Sequence, residues 1–401
     1  MKKPIYIFIS ILIVSLIARI YAIYFYGDSH VDKEWGVILF NLENHNILGY
    51  REFEGNVFPT IYTPPLYPYF LYFIKFFFQN QDLFLIAVLN IQMALSLISI
   101  YLFYKILQKL FSKQISLIGT AIFSLYPLNV YSVSQISSVS IQVFFIVSFF
   151  LSLMCYLKNS NFTYLFIFSL ISTALIYLRG EFFIIYFLTL VYIFTRTKKI
   201  KVVIISFIIS LILVSPYLTR NYKTFGVLTI TKSSGYNLWR GNHFNANVEG
   251  NQLHDNELKN KVKNIIPSNR YDLELDKMYM AEAINNIKKN PVYFIKLYIK
   301  KVISFLFIDL NSSYENYYNY LNIIPKIIIS ITTLMGALLI TRKETILVYF
   351  TGYYFFNIFL FSIFFILPRY SLMLLPIQII LTCYLIKKLR TKLKYDYKKI
   401  D

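Results

Sequence analysis

About twenty apolar residues follow the first lysines of this chain, in "KKPIYIFISILIVSLIARIYAIYFYGD", and comparable runs recur to its end. A helix of roughly 17–25 mostly apolar residues can cross the hydrocarbon of a bilayer with every backbone amide bonded inside the segment. Such runs lie at 5–26, 83–104, 115–132, 139–157, 162–178, 182–195, 202–218, 323–340, 345–366 and 370–386. The expected fold class is an all-α polytopic membrane protein with about ten transmembrane helices. Hydrophobic residues make up 57% of the 401 residues, more than a soluble core can hide. The first run is too long for a signal peptide and lacks a small-residue cleavage site, so it reads as a retained span.

The net charge of +20 would suit a nucleic-acid binder, but its distribution does not. Nineteen basic residues fall in short breaks and in the tail: Lys2–Lys3, Lys105 to Lys113, Lys158, Arg196 to Lys201, Arg342–Lys343, and Lys387 to Lys399. Only three acids accompany them. Basic short loops on one side of a bilayer are the positive-inside pattern, so both termini are expected in the cytoplasm and no nucleic-acid partner is expected. The opposite side then receives an acidic first loop at 27–62, with six acids and two bases, and a polar segment at 219–292. Two apolar stretches, 63–78 and 290–307, carry prolines or lysines and read as amphipathic helices at the outer interface. The expected organisation is a transmembrane module (1–218), a small extracytoplasmic domain (219–292), an interfacial helix with further spans (293–386), and a basic tail (387–401). Cys155 and Cys383 lie far apart in apolar runs and form no redox or metal motif.

Chemistry concentrates in the breaks on the outer side. In "FYGDSHVDKEW", Asp28 sits just past the first span. A carboxylate half-shielded from water there can act as a general base. It, or Ser29, could equally cap an interfacial helix, and the two roles are compatible. His30, Asp32 and Glu34 are supporting candidates, and His30 with Asp32 is the candidate divalent-metal pair; no cofactor is otherwise indicated. "TIYTPPLYPYF" places Tyr67 behind prolines that force extended backbone before a helix start. "YLRGEFF" puts Arg179 and Glu181 between two spans. "SPYLTRNYKTFG" brings Arg220 and Asn221 after Pro216, and "FILPRYSLMLLP" brings Arg369 and Tyr370. Three arginines on the outer face suit an anionic partner, since the guanidinium fork matches phosphate oxygens.

In this order, "GDS", "PPLYP", "LRGE", "SPYLTRNYKTFG…GYNLWRGN" and "LPRYSLMLLP" resemble the motifs of the type-C (GT-C) integral-membrane glycosyltransferases. The similarity is to the branch shared by protein O-mannosyltransferases and aminoarabinose transferases, over about residues 1–386. The chain has Ser29 where many relatives carry a second acid, and Thr63 where the aminoarabinose branch has a lysine. The resemblance implies a polyprenyl-phosphate sugar as donor and an extracytoplasmic acceptor, with inverting transfer at the outer side of the cell (plasma or inner) membrane. It implies Asp28 as the catalytic base and Arg179, Arg220 and Arg369 at the lipid-phosphate face. Asp28, Arg179 and Arg369 are then expected to converge on one cavity. The alternative function is a transporter or flippase of lipid-linked sugars.

Overall fold

The computed structural model describes residues 3–314 and 319–397. These described residues form seventeen α-helices, short 3-10 turns and one small hairpin. The first half comprises α1 (Lys3–Tyr26), α2 (Lys33–His45), α3 (Leu66–Phe77), α4 (Gln81–Leu110), α5 (Lys113–Leu125), α6 (Pro127–Tyr131), α7 (Val139–Asn159), α8 (Phe162–Leu178), α9 (Phe182–Thr197) and α10 (Ile200–Phe225). The second half comprises α11 (Ser234–Gly241), α12 (Asn256–Lys263), α13 (Tyr271–Lys289), α14 (Pro291–Leu306), α15 (Tyr320–Leu338), α16 (Thr345–Ser362) and α17 (Leu375–Tyr397). The hairpin pairs β1 (Arg51–Phe53) antiparallel with β2 (Asn56–Phe58). Glu54 and Gly55 turn it with φ of 51° and 77°, the left-handed pair that matches strand twist.

Among the described residues, six helices are long and apolar enough to cross a membrane: α1 from Pro4 onward, α4, α7, α10, α15 and α16. The polytopic all-α class follows from these. A seventh is added if α5 and α6 count as one span bent by 55°. The bend falls at Tyr126, which is extended at φ −61° and ψ 122°. Tyr126 precedes Pro127, and the proline ring disfavours helical backbone in the residue before it. The single straight span expected at 115–132 is therefore broken. α8 and α9 are apolar but shorter, at 17 and 16 residues. The run at 370–386 opens as a 3-10 turn, Pro368–Met373, before α17.

The seventh run, expected at 202–218, carries Pro216 inside the helix and extends beyond it: α10 continues to Phe225. Proline removes the amide that would bond the Ile212 carbonyl. The Ser215 hydroxyl replaces it, donating to that oxygen at 2.8 Å. The helix stops at Gly226, whose φ of 75° is the left-handed cap. The stretches at 63–78 and 290–307 form α3 and α14, of 12 and 16 residues.

The main core is a continuous apolar cluster drawn from α4, α5, α7, α8, α9, α16 and α17. A second, smaller cluster packs α3 against α4, with Leu39 of α2 and Leu178 of α8. In the polar segment, α11 lies on α13, with Trp239, Tyr271 and Tyr279 buried between them. Asp276 of α13 accepts from the Gly235 and Tyr236 amides at 2.6 and 3.1 Å, satisfying the first orphan donors of α11.

Candidate functional site

One large cavity, of about 770 Å³, lies where the first loop, the α8–α9 turn, α10, α11 and the 360–370 segment meet. Its apolar wall comes from helices: Ile176 and Leu178 of α8, Phe183 and Ile184 of α9, and Phe207, Leu211, Val214 and Leu218 of α10. Its polar residues include Glu34, Tyr62, Thr63, Arg179, Glu181, Asn237, Arg240 and Arg369. An amphiphile with an anionic head and an apolar tail matches that division.

Arg179 ends α8 in extended backbone, its amide on the Leu175 carbonyl at 2.8 Å, and Glu181 opens α9. The tight turn brings the two side chains to 3.3 Å, with Arg179 one-fifth exposed. The Arg179 guanidinium also lies over the Tyr370 ring, 5.1 Å from its centroid. Burial opposes its charge, but Glu181 and Tyr370 outweigh burial and raise its pKa. Arg369, exposed at the start of the 3-10 turn, lines the same cavity.

Among the described residues two carboxylates line the cavity: Glu181, paired with Arg179, and Glu34, in the first turn of α2. Thr63 donates to its Oε1 at 3.2 Å. Burial raises the Glu34 pKa and Asp32 adds to that, while the Thr63 hydrogen bond and the charge of Arg369 work against it. Arg369 therefore acts on Glu34 as a cation would on its base form.

Asp28 does not line the cavity. Its amide donates to the Ser134 carbonyl at 2.9 Å, and its Oδ2 accepts from the Ile136 amide at 2.6 Å. The side chain thus clasps the segment between α6 and α7. Burial raises its pKa, the Ile136 bond lowers it, and Asp32 raises it further. Neither Asp28 nor Ser29 caps a helix, one of the two roles the sequence leaves open for them. The α2 cap position is Asp32, which makes no side-chain capping bond. Asp32 and His30 are exposed, and the His30 ring meets the Ser29 hydroxyl at 3.4 Å. Among the described residues no group of three or more His, Cys, Asp or Glu could hold a metal ion.

Tyr67 stands between these two regions. It lines the cavity, and its hydroxyl donates to Gln92 at 3.3 Å, while Gln92 donates to the Gln135 carbonyl at 2.9 Å. Burial, then the charges of Asp28 and Asp32, push its phenol well above its ordinary pKa.

Arg220 and Asn221 are also away from the cavity. Arg220 donates to the Thr60 carbonyl at 3.1 Å and to Asn221 Oδ1 at 2.8 Å. Asn221 is fully buried and donates to the Thr229 and Ile230 carbonyls at 2.6 and 3.2 Å. Together they tie the end of α10 to the first loop and to the strand-like segment after it. The convergence expected of Asp28, Arg179 and Arg369 is thus met by the two arginines, with Glu34 in place of the aspartate.

Arg240 lines the cavity and was not singled out from sequence. Its signal is the glycine that follows it. A Cβ at Gly241 would lie 1.9 Å from the Phe364 carbonyl oxygen, so only glycine lets α11 rest on that backbone. No family model, curated protein or solved structure matches this chain.

Proposed function

We propose that this protein is an integral-membrane glycosyltransferase that moves a sugar from a polyprenyl-phosphate donor to an extracytoplasmic acceptor. The observation that carries the reading is the single cavity in which arginines and a carboxylate meet a wall of helical apolar side chains. The motif resemblance in the sequence points the same way. In this reading α1, α4, the α5–α6 pair, α7, α8, α9, α10, α15, α16 and α17 make ten crossings. Both ends are cytoplasmic, and the cavity opens on the outer side of the cell membrane.

The polyprenyl chain lies along α9 and α10, and its phosphate meets Arg179 and Arg369. The acceptor oxygen attacks the anomeric carbon from the face opposite the phosphate. The bond from that carbon to the phosphate oxygen breaks, its electron pair leaves on the phosphate, and the configuration inverts. Glu34 takes the acceptor proton. A base so placed contributes about 10²–10⁴-fold, and each donor aimed at the developing phosphate charge about 10²–10³-fold. Asp28 acts indirectly, by fixing the segment against which Tyr67 and Gln92 are held.

The test is a reconstitution. Purified protein receives lipid-linked sugars extracted from its host membranes, with and without an envelope extract as acceptor. The expected result is release of free polyprenyl phosphate only with acceptor present, and its loss in E34Q. Movement of the intact lipid-linked sugar across vesicles, with no release, would replace this reading with a flippase.

A further inference from the structure

Arg240 is a cation without a counter-charge in this cavity. Arg179 has Glu181 at 3.3 Å and Arg369 lies in the field of Glu34. Among the described residues the Arg240 guanidinium has no carboxylate in ion-pair range, and its Nε is buried with no hydrogen-bond partner. A flexible surface arginine would turn to water, but this one is fixed in place. The Phe365 ring lies under its guanidinium at 4.2 Å. Gly250, at φ +76°, lets the next loop close on the Arg240 stem, where a Cβ would lie 2.9 Å from Cγ. The Asn251 amide holds the Arg240 carbonyl at 2.9 Å.

A buried lysine secures the same junction. Lys301 donates to the Gly241 and Phe364 carbonyls, each at 2.6 Å, and to Asn242 Oδ1 at 3.1 Å. The guanidinium is therefore preorganised, and ordering it on binding carries little further entropic cost. Hydrogen-bond donors share the cavity with it. Tyr62 lies within reach of its charge, and Asn237 lines the cavity one turn earlier on α11. Burial keeps the Tyr62 phenol protonated, hence a donor. A fixed guanidinium among neutral donors is an anion receptor.

We propose that Arg240, with Tyr62 and Asn237, binds an anionic group on the acceptor, a phosphomonoester or a carboxylate, at a subsite separate from the donor phosphate. The assignment to the acceptor rests on the transferase reading above; the anion subsite itself does not. The cavity then holds two anions, one at Arg179 and Arg369 and one at Arg240. The acceptor hydroxyl is positioned by its own charge rather than by the donor.

The experiment titrates purified protein in neutral detergent with glycerol 3-phosphate and, separately, with polyprenyl phosphate at constant ionic strength. The readout is tryptophan fluorescence, because one of the two tryptophans, Trp35, lines the cavity and the other, Trp239, adjoins Arg240. Glycerol 3-phosphate should saturate wild type and R369Q and bind about ten-fold or more weakly to R240Q. Polyprenyl phosphate should show the reverse dependence. R240K keeps the charge without the fork and should fall between wild type and R240Q, which separates lost recognition from a lost fold. Competition by phosphatidic acid in micelles would assign the anion to a lipid-borne acceptor, and its failure to compete would assign a water-soluble one. Equal weakening of both probes in R240Q and in R369Q would mean one shared anion site and overturn the proposal. So would glycerol 3-phosphate binding that never saturates. Glycerol 3-phosphate binding that depends on Arg240, with no polyprenyl phosphate binding at all, would remove the donor reading and leave the subsite standing.

Discussion

Asp28 and Glu34 lie six residues apart, and their surroundings give them different work. Glu34 faces the cavity with Thr63, and Asp28 is bonded to the Ser134 and Ile136 backbone. E34Q is expected to lower turnover by about 10²–10⁴-fold. D28N keeps an oxygen for the Ile136 amide and should lose less than about ten-fold, measured in the same transfer assay. Equal losses would return the base role to Asp28. The pH dependence has a definite sign. Burial raises the Glu34 pKa, so the base form is gained as pH rises through a value above the ordinary glutamate range near 4.3. The acid limb of kcat/KM should lie there and vanish in E34Q. For stability the sign is opposite. A raised folded pKa disfavours the ionised fold at pH above that pKa, a penalty relieved as pH falls through it. E34Q should therefore melt no lower than wild type at pH 7.5. The sequence reading puts the base at Asp28 and keeps Glu34 as a supporting residue, whereas it is Glu34 that lines the cavity. That difference rests on the long-range bonds between Asp28 and the Ser134 and Ile136 backbone, more than a hundred positions away, which no local pattern shows.

Two elements depend on single residues that meet distant parts of the chain. Where Pro127 breaks α5 from α6, the carbonyls at the end of α5 lose their helical partners. Arg19 of α1 supplies one, its Nη1 donating to the Ser124 carbonyl at 2.9 Å and its Nε to Ser96 Oγ at 3.0 Å. It also bonds the Ser15 hydroxyl. A charge inside a spanning helix is costly and tends to persist for a function; here it caps a broken helix whose continuation carries the Asp28 clasp. R19L should speed amide exchange at Ile136 and Asp28 by about ten-fold, equivalent to roughly 1.4 kcal/mol of local opening. Unchanged exchange would make Arg19 irrelevant to the clasp. The second element is the end of α11. G241A places a methyl against the Phe364 carbonyl, and forced backbone movement of that kind costs about 1–3 kcal/mol. A lower melting midpoint and a displaced Arg240 should follow, and a midpoint equal to wild type would contradict the close approach. The break at Pro127 has a local cause, since proline acts on its neighbour, yet the sequence reading takes 115–132 as one span. The arginine that answers the break is 105 positions away and cannot be read from sequence.

At the scale of the molecule, apolar run length is a local property, so nearly every helix of the bundle was legible in the sequence. The cavity was not. Its walls come from five segments spread from Glu34 to Tyr370, and only folding shows that Arg220 turns to the Thr60 carbonyl while Arg240 turns inward. The proposed orientation has its own test. In a background lacking Cys155 and Cys383, N256C should react with an impermeant maleimide in intact cells, and K199C only after permeabilisation. Labelling of both in intact cells would break the ten-crossing arrangement. The central claim is sugar transfer in this cavity, and the most direct measurement is mass spectrometry of surface glycans and lipids. Cells lacking the protein would be compared after complementation with wild type or with E34Q at matched membrane levels. The account predicts one species heavier by a sugar residue that wild type restores and E34Q does not. Restoration by E34Q, or identical spectra with and without the protein, would contradict it.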